Sequence, residues 1–126
     1  MSRKINHNKN VKTLRRINRP RYIGIGEIVR FTYQQQDIND LKPLAMIIQK
    51  EKDYVKGINL NYLTEYRIQQ LLQEKIKFQG RVGQKTGKML KNFRWYELYD
   101  SFIRTYQKDK MKNIYQVEYS KDPDAS

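Results

Sequence analysis

The alternation of hydrophobic and polar residues predicts a β-strand near the start of the chain. Within residues 25–33, the apolar or aromatic Val29, Phe31 and Tyr33 are separated by polar residues. A period of two, with β-branched and aromatic side chains, is typical of a half-buried strand. Residues 44–48 form a short continuous apolar run instead, which indicates a second, buried strand.

Two further strands are predicted by the same criteria. Residues 54–60 follow a charged turn at residues 51–53, and a turn of about four residues predicts a hairpin with antiparallel strands. Gly57 within this third strand indicates a bulge or a close approach of another backbone segment. Residues 115–119 alternate again and predict a last strand.

Apolar residues at helical spacing predict two α-helices. The first begins after Thr64, a favourable N-cap residue, and ends near Phe78, with Gly80 beyond it. Its apolar face contains Ile68, Leu71, Leu72 and Ile76. The second helix begins at Phe93, and one of its faces contains Trp95, Leu98, Tyr99, Phe102, Ile103 and Tyr106.

These elements predict a small α+β domain. We expect an antiparallel β-sheet, or a small curled β-barrel that is SH3-like, with two helices and a basic N-terminal arm. The chain of 126 residues then divides into a basic flexible arm at residues 1–22, a single α+β domain at residues 23–119 and a disordered tail at residues 120–126.

Positive charge is strong and confined to two segments. Lys and Arg number 26 against 13 Asp and Glu, so the formal net charge is +13. Residues 1–22 contain eight basic and no acidic residues, and residues 64–92 contain seven basic and two acidic residues. The other segments are balanced. This asymmetry is typical of a protein that contacts a polyanion.

The basic N-terminal segment is interpreted as an arm that faces nucleic acid. Val11, Leu14 and Ile17 recur every three residues and would support one or two helical turns, but several asparagines disfavour an isolated helix. We therefore expect the arm to be disordered when free and ordered on a polyanion. Its predicted phosphate contacts are Arg3, Lys4, Lys9, Lys12, Arg15, Arg16, Arg19 and Arg21.

A second set of phosphate contacts is predicted in the glycine-containing loop at residues 80–91. Its basic residues are Arg81, Lys85, Lys88 and Lys91. The run Gly83–Met89 superficially resembles a Walker A loop, but three residues instead of four separate its glycines, and Met89 replaces the hydroxyl residue. We therefore expect flexible contacts to phosphates, and no nucleotide hydrolysis.

The remaining composition favours a binding protein over an enzyme. The chain has no Cys and one His, His7, which excludes disulfides and the common zinc sites. Loop carboxylates at Asp37, Asp40, Glu51 and Asp53 could hold Mg²⁺, but they are more simply explained as acids that balance nearby lysines. No apolar run approaches the roughly 20 residues of a membrane-spanning helix. We expect no catalytic residue, cofactor, metal, membrane or small-molecule substrate.

Aromatic residues make up 12% of the chain. Those of the second predicted helix share one face and are assigned to packing. Tyr22, Tyr33 and Tyr54 lie outside that pattern, and stacking of an unpaired base on one of them is an open alternative.

One pattern of residues resembles a known family. Gly26–Tyr33 reads GEIVRFTY, and it is followed by Lys42-Pro43-Leu44 and then by Val55–Leu63, which reads VKGINLNYL. Over about residues 26–67 this resembles the core of small virion-associated proteins of large tailed bacteriophages, the DNA end protectors. In that family a longer, aromatic-rich stretch precedes the Pro-Leu pair, whereas this chain has the shorter segment at residues 34–41.

The resemblance implies a non-enzymatic virion component, present in the host cytoplasm during assembly, that contacts packaged DNA near its end or in the head–tail connector. Together with the charge, it predicts a structural protein that binds nucleic acid, with DNA favoured over RNA, and that neighbours other virion or assembly proteins. Two alternatives stay open: a structural adaptor whose basic arm binds acidic protein neighbours, and a ribosomal or other RNA-binding protein.

Overall fold

A computed structural model describes residues 5, 7–34, 42–79 and 100–120 of the chain. Within these residues the chain forms six β-strands and one α-helix. In chain order they are β1 (Val11–Ile17), β2 (Ile28–Tyr33), β3 (Leu44–Lys50), β4 (Tyr54–Asn59), α1 (Glu65–Gln79), β5 (Ile103–Gln107) and β6 (Met111–Tyr119).

All six strands belong to one antiparallel sheet with the order β1-β6-β2-β3-β4-β5. Strands β2 to β5 follow chain order, whereas β6 returns to pair with β2 and also with β1. The edges are β1 and β5, and the sheet is not closed into a barrel. The predictions of a small α+β domain and of four strands, now β2, β3, β4 and β6, are therefore confirmed.

Hydrophobic side chains are buried on both faces of the sheet. The outer cluster, on the face that α1 covers, contains Ile28, Leu44, Met46, Ile48, Ile58, Leu60, Leu63, Ile68, Leu71, Val117 and Tyr119. The inner cluster, on the opposite face, contains Ile17, Ile23, Val29, Phe31, Tyr33, Ala45, Ile47, Val55, Tyr106, Met111 and Ile114. Successive residues of β3 alternate between the clusters, which explains why its apolar run is continuous.

The sheet curls strongly around the inner cluster. Strands β5 and β6 are joined by only three residues, Lys108–Lys110, although three other strands separate them in the sheet. A flat sheet would place them about 19 Å apart, which is farther than so short a link can reach. The Tyr106 ring on β5 packs edge-on against Phe31 on β2, with ring centroids 5.0 Å apart. Tyr33 Oη on β2 accepts a hydrogen bond of 2.9 Å from the backbone N–H of Gln107.

Helix α1 packs on the outer cluster through Ile68 and Leu71, which are buried. Thr64 caps its first turn, since the Thr64 Oγ1 accepts a hydrogen bond of 3.3 Å from the backbone N–H of Arg67. The predicted first helix and its N-cap are confirmed by these contacts.

A buried polar group attaches the segment before β1 to the domain. His7 is only 3% exposed, and its Nε2 lies 2.9 Å from the carbonyl oxygen of Leu63. Tyr119 Oη lies 3.4 Å from His7 Nδ1 and accepts a hydrogen bond of 3.3 Å from Asn10 Nδ2. These contacts give His7 a structural role.

The prediction of a flexible arm is wrong for residues 11–17, which form the edge strand β1. Val11 packs against the outer cluster and Ile17 belongs to the inner cluster, so both ends of the strand are anchored. The hydrogen-bonding partner is β6, near the other end of the chain. Because a strand can take its stability from such a distant partner, the local pattern of residues did not reveal it.

The prediction of a second helix is wrong where the structure describes that segment. Phe102 ends a 3₁₀ turn at Asp100–Phe102, and Ile103–Gln107 form strand β5. Tyr106 is buried as expected, but it is buried from a strand in the inner cluster. Residues 93–99 of the predicted helix, the loop at residues 80–91 and residues 121–126 of the predicted tail lie outside the described residues.

Candidate nucleic-acid interface

Strand β1 presents much of the N-terminal charge on a fixed backbone. Its five central residues, from Lys12 to Arg16, are exposed, while Ile17 is buried. The pairing with β6 shifts between Thr13 and Arg15, so that Leu14 is an extra residue in a bulge. The bulge changes which of the following side chains point to each face of the sheet.

Two arginines and a tyrosine form a row across β1, β6 and β2. Arg16 pairs with Tyr115, and Tyr115 pairs in turn with Arg30, so the three side chains lie on the same face. The Arg16 Cζ lies 5.9 Å from the centre of the Tyr115 ring. Arg30 donates a hydrogen bond of 3.3 Å to Thr13 Oγ1, which links β2 to the edge strand.

A lysine extends this row along the same face. Lys112 on β6 pairs with Thr32 on β2, next to the row. Asn113 has a positive φ of 53° and lies where the register of β6 against β2 shifts. Asparagine tolerates this left-handed conformation, so the extra residue leaves Lys112 and Tyr115 on one face. We call Arg16, Arg30, Lys112 and Tyr115 the basic face.

Acidic side chains are absent from this face on the described strands β1, β2 and β6. The acid within these strands is Glu118, which lies between Val117 and Tyr119 of the outer cluster and therefore points to the opposite side. Glu118 pairs there with Lys12. Lys12 consequently has an acidic neighbour across the strand pair.

The charge of Arg15 is balanced by an acidic neighbour. Its Nη2 lies 3.2 Å from Glu27 Oε1, and its Nε donates a hydrogen bond of 2.6 Å to Gln116 Oε1. These bonds hold the guanidinium on the face opposite to the basic face. Such an exposed ion pair contributes little to stability, but it lowers the charge that Arg15 offers to a phosphate.

A second group of basic residues surrounds the 3₁₀ turn Pro20–Tyr22. Arg19 and Arg21 are exposed, and the Arg21 Cζ lies 4.9 Å from the centre of the Tyr22 ring. The Lys50 Nζ donates a hydrogen bond to the carbonyl oxygen of Arg21. This bond places the β3–β4 turn beside the Pro20 turn.

The predicted phosphate contacts are therefore distributed over several surfaces. Lys9 is exposed in a 3₁₀ turn at Asn8–Asn10. Of the six N-terminal candidates that the structure describes, Arg16 alone lies on the basic face. Six predicted residues lie outside the described part of the chain: Arg3, Lys4, Arg81, Lys85, Lys88 and Lys91.

Three residues of the basic face were not predicted. Arg30 occupies a polar position of the alternating strand β2, which the sequence does show. Its proximity to Lys112 and Tyr115 depends on the pairing of β2 with β6, which the sequence does not show.

The carboxylates considered for a metal site are only partly described. Glu51 and Asp53 lie in the β3–β4 turn, near Lys108 of the β5–β6 link, whose backbone N–H donates a hydrogen bond of 2.9 Å to the Asp53 carbonyl oxygen. Burial and the charge of a neighbouring lysine lower the pKa of Lys108, while Asp53 and Glu51 act in the opposite direction. Asp37 and Asp40 lie outside the described residues. Among the residues that are described, no group of three His, Cys, Asp or Glu could hold a metal ion.

The same part of the chain contains no helix that is long and apolar enough to cross a membrane. Compared with protein-family models, with curated proteins and with solved structures, the chain matches none of them.

Proposed function

We propose that the protein is a non-enzymatic structural protein that binds nucleic acid through the basic face. The observation that carries this proposal is the row Arg16–Tyr115–Arg30, which pairs across three strands and has no acidic residue on its side of those strands. Arginine is well suited to phosphate because its guanidinium offers several donors in a fixed plane. Strand pairing fixes the spacing of these cations before the ligand arrives, which lowers the entropic cost of binding.

The ligand is expected to be bound mainly through its backbone. Cations that contact phosphates position a protein without reading the sequence of bases. We propose DNA as the ligand and a tailed-bacteriophage virion as the setting, because the segment around residues 26–67 resembles the DNA end protectors. The basic residues near the N-terminus and in the loop at residues 80–91 would add further phosphate contacts.

We also propose that the curled sheet is SH3-like. Strands β2 to β5 follow one another, a short 3₁₀ turn at Lys108–Lys110 crosses from β5, and β6 then pairs with β2. This connection supports the proposal. Strand β1 and helix α1 would be additions to that fold.

The test compares two variants that each remove two positive charges. Arg16→Gln/Arg30→Gln alters the basic face, and Lys52→Gln/Arg104→Gln alters exposed cations elsewhere. Binding of each protein to a short linear duplex is measured by fluorescence anisotropy over a series of salt concentrations. Urea unfolding confirms that both variants are folded.

We expect the basic-face variant to bind at least tenfold more weakly at low salt. The slope of log K against log salt should fall by about two, since each phosphate contact contributes about 0.9. The control variant should stay within about threefold of the parent protein. Equal losses in the two variants would show that net charge, and not this face, determines binding.

The same measurement separates the alternatives. Strong competition by structured RNA would favour an RNA-binding protein, and weak competition by closed circular DNA would favour recognition of a DNA end. No binding to any nucleic acid at low salt would overturn the proposal and leave the adaptor with acidic protein neighbours.

A further inference from the structure

Tyr22 is an exposed aromatic residue on an unusually well-anchored turn. Its side chain is 52% exposed, whereas Tyr33 and Tyr106 are buried in the inner cluster. Exposure of this size leaves a large part of the ring without contacts to the rest of the described chain. Packing of the domain therefore does not explain an aromatic residue at this position.

Three sets of contacts hold the turn in place. The backbone N–H groups of Tyr22 and Ile23 donate to the carbonyl oxygens of Arg19 and Pro20, each at 3.0 Å. Ile23 is fully buried in the inner cluster, directly after Tyr22. The bond from Lys50 to the Arg21 carbonyl adds a tether to β3. The backbone that carries Tyr22 is thus ordered before any ligand binds.

Arg21 holds the ring itself. Its Nη2 donates a hydrogen bond of 2.9 Å to Tyr22 Oη, and its Cζ lies 4.9 Å from the ring centre. A guanidinium on one face of an aromatic ring leaves the other face for a planar ligand. Arg19 directly precedes the turn and Lys50 donates to the Arg21 carbonyl oxygen, so both add positive charge to this part of the surface. Glu51 and Asp53 lie on the adjacent β3–β4 turn, near Lys108.

We propose that Tyr22 stacks on an unpaired base, so that single-stranded nucleic acid is the ligand of this turn. The inference rests on the proposed function and adds a second contact surface to the basic face. Aromatic residues within a basic groove are the usual means of binding single strands, because every base has a planar face. Duplex bases are stacked on one another and cannot reach the ring.

The test uses three ligands and three variants. The ligands are a single strand of about 12 nucleotides, an abasic strand of the same length that keeps the phosphates, and the duplex of the same sequence. The variants are Tyr22→Ala, Tyr22→Phe and Tyr66→Ala. Tyr66 is a matched control, because it is 71% exposed and lies on α1. Affinities are measured by fluorescence anisotropy on the full chain.

We expect Tyr22→Ala to weaken binding of the single strand by roughly tenfold or more, since stacking of one base contributes that much. Its binding to the abasic strand and the duplex should change less than about twofold, because phosphate contacts remain. Tyr22→Phe keeps the ring and should retain most of the affinity, and Tyr66→Ala should have no effect.

Other results are also decisive. Tyr22→Ala with unchanged affinity for the single strand, or with equal losses on all three ligands, would overturn the proposal and leave the proposed function intact. If the parent protein binds the duplex and the abasic strand as tightly as the single strand, stacking contributes nothing. Failure of the parent protein to bind any of the ligands would instead refute the proposed function.

Discussion

Gly57 lies in the middle of β4, where a side chain has almost no room. A Cβ at this position would lie 3.0 Å from the Cβ of Ala45 and 3.1 Å from the carbonyl oxygen of Met46. The sequence indicated a bulge or a close backbone approach at this glycine, and the close approach is confirmed. Its partners belong to β3, the most deeply buried strand, so they have little freedom to move.

We expect Gly57→Ala to lower the free energy of unfolding by about 1–3 kcal/mol through overpacking. Urea unfolding followed by circular dichroism measures the change. Lys56→Ala, at the adjacent and partly exposed position, is the control and should cost no more than about 0.5 kcal/mol. A Gly57→Ala protein as stable as its parent would mean that β3 and β4 can separate at no cost.

The hydroxyl of Tyr33 joins two strands that are not neighbours in the sheet. It accepts the backbone N–H of Gln107, and its ring lies 5.2 Å from that of Tyr106. Tyr33→Phe keeps the ring contact and leaves the N–H without its acceptor. We expect a loss of about 1–3 kcal/mol in urea unfolding. Tyr66→Phe instead removes an exposed hydroxyl, which accepts a hydrogen bond of 3.1 Å from Gln70 Nε2, and should cost no more than about 0.5 kcal/mol. An equal loss in both variants would contradict the role of the Tyr33 bond.

At the level of elements, the sequence predicted those elements whose stability depends on their own local pattern of residues. It missed the elements whose stability depends on a distant partner strand. β2 shows alternation, β3 a continuous apolar run and α1 a capped amphipathic pattern. The local sequence was therefore sufficient to predict these three elements. β5 was mistaken for helix because Phe102, Ile103 and Tyr106 fit a helical spacing. Phe102 instead ends a 3₁₀ turn, and pairing with β4 decides the conformation of Ile103 and Tyr106. In β1 only Ile17 is buried and Val11 is partly buried, and no local pattern distinguishes such a strand from a solvated arm.

The candidate site was predictable to the same limited extent. The sequence identified a basic N-terminal segment, and the structure keeps Arg16 of that segment on the basic face. The alternation of β2 already placed Arg30 among outward-facing residues. Arg16 and Arg30 are brought together by Tyr115 on β6, which pairs with both. That β6 lies between β1 and β2 depends on the topology of the whole sheet.

Because β1 is part of the sheet, removing the N-terminal segment would affect the stability of the domain as well as its charge. A protein without residues 1–18 lacks the whole edge strand, including Ile17 of the inner cluster, and exposes the backbone of β6 as a new edge. We expect it to unfold at a clearly lower urea concentration than the full chain. Arg16→Gln/Arg30→Gln, which keeps the strand, serves as the control. A truncated protein with an unchanged midpoint would restore the interpretation of this segment as a separable arm.

At the level of the whole molecule, charge and curvature act against each other. Curling the sheet brings β5 towards β2, and a chain with a net charge of +13 repels itself most when it is compact. Screening by salt weakens that repulsion more in the folded state than in the expanded unfolded state. KCl should therefore raise the urea midpoint of the protein, whereas a molecule held by exposed ion pairs, such as Arg15–Glu27, would be weakened by salt.

A short polyanion should have a larger effect than KCl if the basic face is a binding surface. A ligand that binds only the folded state stabilises it in proportion to the logarithm of its concentration over its Kd. We expect a single-stranded oligonucleotide, at low salt, to raise the urea midpoint of the parent protein. The increase in the midpoint should be smaller for Arg16→Gln/Arg30→Gln. For Lys52→Gln/Arg104→Gln it should be as large as for the parent protein. Equal increases in all three proteins would show that the polyanion neutralises net charge without using this face.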